Sequence, residues 1–235
     1  MARRPGIFGI LAVAAILQGA HGPAMGADKG GAPAPFAVAS VYLEQNATDG
    51  DAEVVFTATG GKEGLAKLTV VAPGGRTVID FSAPDASTSL GIRQFRFETP
   101  EPQDVKSLMS AYPEGVYTFA GATAAGERFQ GKAMLSHKLP APTSFLRPTV
   151  NGKGLDARNL KIAWKPVESA AAYIVKIEHR KLSINLTSTV PGSVTTFAVP
   201  DGFLRPGLEY KLAIGTVSDK GNISFVETTF TTAGK

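Results

Sequence analysis

Apolar residues recur at every second position through most of this chain. Val38-Ala-Ser-Val-Tyr-Leu43, Glu53-Val-Val-Phe-Thr57, Ala66-Lys-Leu-Thr-Val-Val71, Thr77-Val-Ile-Asp-Phe81, Arg93-Gln-Phe-Arg-Phe97, Val116-Tyr-Thr-Phe119 and Phe129-Gln-Gly-Lys-Ala-Met-Leu135 are short and rich in β-branched or aromatic residues. Gly, Pro, Asp or Asn separates them, as turns between strands require. Seven such runs within about a hundred residues predict an all-β sandwich. One segment departs from the pattern: Asp104 precedes Val-Lys-Ser-Leu-Met-Ser-Ala-Tyr112, and Pro113 follows. An aspartate cap and a proline stop predict a helix of a turn or two, crossing between strands.

Two proline-rich stretches divide the chain. Residues 27–35 form a flexible leader with little to bury, and 140–148 form a linker between 36–139 and 149–235. Both pieces suit a single domain. Upstream, Arg3 and Arg4 precede an apolar run from Ile7 to Leu17 and the small residues Ala24 and Gly26. This is the three-part layout of a signal peptide over 1–26, with cleavage after Gly26 or, alternatively, Ala27. The run rises about 16 Å as a helix, too short to span a bilayer, which disfavours an uncleaved anchor. The expected compartment is extracytoplasmic, periplasmic or secreted, in a bacterium, with no membrane span after cleavage.

The C-terminal piece carries a more specific order of residues. Leu160-Lys-Ile-Ala-Trp164-Lys-Pro-Val167 is followed by Ala172-Tyr173-Ile-Val-Lys-Ile177, then Phe197-Ala-Val-Pro200, then Leu204-Arg-Pro-Gly-Leu-Glu-Tyr210. Over 143–232 this resembles the fibronectin type III module. The resemblance implies a second antiparallel β-sandwich with Trp164, Tyr173, Leu204 and Tyr210 in its core, Tyr210 forming a tyrosine corner. It favours burial of Trp164 over a sugar-stacking role. The family's Arg-Gly-Asp adhesion tripeptide is absent. In the N-terminal piece, Tyr112-Pro-Glu-Gly-Val-Tyr-Thr-Phe119 with Ala125-Gly-Glu-Arg-Phe129 resembles the closing hairpin of bacterial immunoglobulin-like modules. Two tandem sandwiches, immunoglobulin-like and then fibronectin type III-like, are therefore expected.

Composition narrows the chemistry. With no Cys, disulfides, thiolate nucleophiles and cysteine-ligated metals are excluded. The net charge of +4 falls to +2 without Arg3 and Arg4, and a nucleic-acid partner is not expected. Charge is uneven: 36–139 holds nine basic and twelve acidic residues, 140–235 twelve and seven. Lys161, Lys165, Lys176, Arg180 and Lys181 alternate with apolar positions and read as a solvated sheet face.

Two histidines, His137 and His179, lie beyond the leader, in different pieces. Ser136 is adjacent to His137, and strand alternation points neighbours to opposite faces, so they cannot act as nucleophile and base. His179 reads as a solvated strand end. Asp49, Asp51 and Glu53 alternate around a turn and form a weak Ca²⁺ candidate, against the plainer reading of a polar hairpin loop. Glu98 and Glu101 form a carboxylate pair of the kind a hydrolase uses, against the plainer reading of a rigid exposed connection. No catalytic residue and no cofactor are assigned. Three Asn-x-Ser/Thr sequons start at Asn46, Asn185 and Asn222. The expected function is non-catalytic binding of a protein or cell-surface glycan through sandwich surfaces; a carbohydrate- or calcium-binding accessory module is the alternative.

Overall fold

The computed structural model describes residues 31–62, 64–83, 90–102 and 104–234. The expected signal peptide and residues 27–30 of the leader lie outside these residues. The first unit contains β1 (Ala34–Pro35), β2 (Val38–Asn46), β3 (Asp51–Thr59), β4 (Leu65–Val71), β5 (Thr77–Ser82), β6 (Gln94–Glu98), α1 (Val105–Ala111), β7 (Gly115–Thr123) and β8 (Arg128–Leu135). All seven predicted runs are strands. Helix α1 is where the sequence places it: Asp104 accepts from the Lys106 backbone N–H at 3.0 Å and from Ser107 Oγ at 2.7 Å. The chain then reaches β7 in the opposing sheet.

In the second unit follow β9 (Phe145–Arg147), β10 (Gly152–Leu155), β11 (Lys161–Trp164), β12 (Ala172–His179), β13 (Ile184–Pro191), β14 (Thr196–Ala198), β15 (Glu209–Val217) and β16 (Ile223–Thr232). Strand β13 is absent from the predicted runs, although Ile184, Leu186 and Val190 alternate inward along it and pack on the core.

Each unit closes its own core. In the first, sheet β1-β8-β7-β4-β5 faces β2, β3 and β6 across Leu43, Val54, Phe56, Leu68, Val70, Tyr117 and Phe119. The end of the leader is tied in: Ala34 and Pro35 pair in parallel with Phe129 and Gln130 of β8, and Phe36 packs against the rings of Phe119 and Phe129. In the second, sheet β9-β11-β14 faces β13-β12-β15-β16 across Ile162, Trp164, Tyr173, Val175, Leu212 and Phe230. Trp164 is 1% exposed and meets Tyr173 edge-on at 5.3 Å.

The corner is built as the motif implies. Gly207 takes φ +71°, where a side chain is disfavoured, and Tyr210 Oη accepts from the Arg205 backbone N–H at 2.8 Å. Tyr210 is fully buried, so its hydroxyl has no water to fall back on. Tyr210→Phe is expected to cost about 1–2 kcal/mol by leaving the Arg205 N–H unpaired, measured as a lower denaturant midpoint at unchanged m. An unchanged midpoint would remove the corner from the stabilising contacts.

The two units share a sheet. Ile223, Ser224 and Phe225 of β16 pair in parallel with Glu44, Gln45 and Asn46 of β2, joining the two halves into the continuous order β13-β12-β15-β16-β2-β3-β6. Both cores lie on one face of this long sheet. Its other face is free of either core and carries the candidate site.

Candidate functional site

On that second face, strand alternation places Tyr42 and Glu44 from β2, Asp51 and Glu53 from β3, Arg96 and Glu98 from β6, Lys176 from β12, and Phe225 and Glu227 from β16. Where the units meet, Ala213, Ile223 and Phe225 are buried with Tyr42, Ile174 and Val217 packed around them. This small third core forms the floor of a valley. Gly215 permits it: a Cβ there would stand 2.6 Å from the Phe225 ring.

Beside this floor opens a cavity of about 330 Å³, lined by six carboxylates, Glu44, Asp51, Glu53, Glu98, Glu101 and Glu227, and two cations, Arg96 and Lys176. Both units contribute. Glu44 sits between the cations, with Oε1 4.0 Å from Lys176 Nζ and Oε2 3.8 Å from Arg96 Nη2. Arg96 also pairs with Glu98 and donates to Tyr42 Oη at 2.5 Å. Lys176 Nζ stands 4.2 Å from the centre of the Phe225 ring, a cation–π contact. Lys211 holds Glu227 at 2.6 Å.

Burial and like charge act together on these acids. Desolvation, then the charges of Glu98, Glu44 and Glu101, push the Glu53 carboxyl up to about 8. Burial raises Glu44 against the pull of Lys176 and Arg96, and it raises Asp51 and Glu101 with help from neighbouring carboxylates. Burial also lowers the Lys176 ammonium. Glu53 therefore retains its proton well above the usual carboxylate range, and Glu44, Asp51 and Glu101 are shifted in the same direction.

The sequence candidates are partly reunited here. Asp51, Glu53, Glu98 and Glu101 line one cavity, whereas Asp49 stays in the β2–β3 turn and accepts from Asn46 Nδ2 at 3.0 Å. Among the described residues, no three of His, Cys, Asp and Glu are grouped to hold a metal ion. Glu98 belongs to strand β6 instead of an exposed connection. Lys176 needs a correction too: expected on a solvated face, its side chain is 18% exposed, held between the Phe225 ring of its own unit and Glu44 of the other.

His137 Nε2 donates to the Tyr112 carbonyl at 2.8 Å, and His179 Nδ1 accepts from the Leu182 N–H at 3.3 Å with its ring against Tyr210. Neither lines the cavity. Glu44, Arg96, Phe225 and Glu227 are site residues that the sequence reading missed. Their only signal is a charged or aromatic residue at an outward strand position, shared by many solvated residues.

The fold is thus an all-β pair of sandwiches, the second fibronectin type III-like. Among solved structures, it is similar to a two-domain fibronectin type III segment of chicken tenascin, with 17% identity over 84% of this chain and 99% of that one and a TM-score of 0.32. Fibronectin(III)-like modules of Clostridium thermocellum CbhA share 10% identity over 84% and 92% at 0.35, and the BSP domain of a biofilm-associated protein shares 18% over 85% and 29% at 0.29. No protein-family model and no curated protein matches the sequence. Among the described residues, no helix is long and apolar enough to cross a membrane.

Proposed function

We propose that this protein is a non-catalytic, extracytoplasmic interaction protein whose cleft between the sandwiches receives a positively charged segment of a partner at the cell envelope. The carrying observation is the convergence of six carboxylates, from both units, on one cavity beside an aromatic floor. Arg96 and Lys176, with Lys211 on Glu227, offset only part of this charge, and a basic side chain entering the cavity would find carboxylates to pair with. The arginine-bearing leader with an apolar run and small residues supports the compartment.

The test is retention of envelope components on the immobilised protein, with a triple Glu98→Gln, Glu101→Gln, Glu227→Gln variant and a remote Glu127→Gln control. The wild type and the control are expected to hold a basic partner in a salt-sensitive manner, and the triple variant to hold it about tenfold more weakly, roughly 1.4 kcal/mol. Equal retention by all three, or none by the wild type, overturns the proposal. A saturable calorimetric signal for Ca²⁺ that Asp51→Asn removes would replace the basic partner by the metal.

A further inference from the structure

We infer that Asn222 is a latch that seats the two sandwiches as one body, and that releasing it opens the joint and dismantles the cleft while both cores stay folded. Asn222 lies in the turn between β15 and β16 and is 1% exposed. Every bond of its side chain crosses to the first unit or the segment leaving it. Its Oδ1 accepts from the Leu43 backbone N–H at 2.9 Å, and its Nδ2 donates to the carbonyls of Ser136 at 2.7 Å and Lys138 at 3.0 Å. One amide thus serves three backbone groups that no strand ladder serves. Only a side chain with both an acceptor and two N–H donors of this length can do so.

The neighbouring contacts act in the same place. Ser224 Oγ donates to the Pro140 carbonyl at 2.7 Å, the Ala47 N–H to the Phe225 carbonyl at 2.8 Å, and the Glu227 N–H to Thr48 Oγ1 at 2.8 Å. The joint is nevertheless narrow, because the strand pairing across it covers three residues of each strand. Each unit keeps its own core, and neither core needs Asn222 for its packing. Asn222 is therefore placed to decide whether the units stay docked without deciding whether either folds. When it leaves, Ser136, Lys138 and Leu43 gain water, the Ala213–Ile223–Phe225 floor opens, and Lys176 separates from Glu44. The same burial explains why the sequon Asn222-Ile-Ser224 presents no free amide.

The absence of cysteine gives a clean test. Lys67→Cys on β4 and Lys161→Cys on β11 place spin labels on exposed positions of the two units in the full chain. Without other changes, the label-to-label distance is expected to be one narrow population. Adding Asn222→Asp, which keeps the size but removes both donors, or Asn222→Ala is expected to abolish that population in favour of a broad, longer distribution. Amide spectra should still show dispersed signals from both cores. A broad distribution in the background protein, or narrow distributions in both variants, overturns the latch. Loss of dispersed signals from either core in both variants also overturns it, because it would make Asn222 a folding residue instead of a joint.

Discussion

Trp164→Ala is expected to lower stability by about 3–5 kcal/mol, the range for deleting a fully buried large aromatic, and to leave the second unit unfolded or nearly so. Trp164 is the largest side chain among the fully buried residues, and the unit has no disulfide to limit its unfolded state. The indole Nε1 is buried without a hydrogen-bond partner. Such an orphan donor costs about 1–3 kcal/mol, so Trp164 stabilises through its ring area and edge contact with Tyr173 against a standing polar penalty. Trp164→Phe keeps much of the apolar area and removes the penalty; it should therefore lose far less than the alanine variant. Chemical unfolding followed by far-UV dichroism distinguishes the outcomes. Equal losses for Phe and Ala would show that indole shape, and not buried area, holds this core.

The second large effect is pH dependence. A carboxyl that is ordinary when unfolded, near 4.5, and held up to about 8 when folded binds its proton more tightly in the native state. Its penalty is absent below pH 4.5, grows as pH rises, and is complete above about 8. Stability should consequently fall across this window, by on the order of 3 kcal/mol for Glu53 after allowing for partial contact with solvent. The raised values of Glu44, Asp51 and Glu101 act in the same direction. Glu53→Gln removes one charge without changing shape, and it should be more stable than the wild type at pH 8 and little different at pH 4.5. Thermal unfolding at both values checks the sign. A wild type whose stability rises from pH 4.5 to 8, with no benefit from glutamine, would mean that Arg96 and Lys176 compensate the cluster fully.

Much of the architecture was legible because strand and turn signals are local. A residue two positions from another shares its face whatever the rest of the chain does, so the seven runs of the first unit follow directly from the pattern. The corner at Leu204–Tyr210 is also local, since the hydroxyl returns to a backbone group five residues upstream. Strand β13 escaped the predicted runs because Asn, Thr and Ser fill most of the positions between its inward apolar residues.

The site was legible only in fragments. Asp51 with Glu53, and Glu98 with Glu101, stand out as acid pairs, but each has a plain local explanation. Their meaning changes when β3 and β6 become neighbours and when β16 brings Glu227 and Phe225 beside β2, 179 residues apart in sequence at the Leu43–Asn222 bond. Solvation of a charged strand residue depends on what lies beside it, and for Lys176 that is Phe225 from β16 and Glu44 from the other unit.

By itself, the sequence determined that the chain is all-β, because alternation acts over a few residues, and its resemblance to the fibronectin type III module implied that Trp164, Tyr173 and Tyr210 are buried, as they are. Only the tertiary structure decided that the units share one sheet, that Asn222 saturates its amide across their joint, and that scattered acids form a single cavity. Those outcomes depend on hydrogen bonding and desolvation between surfaces distant along the chain, which no local pattern encodes.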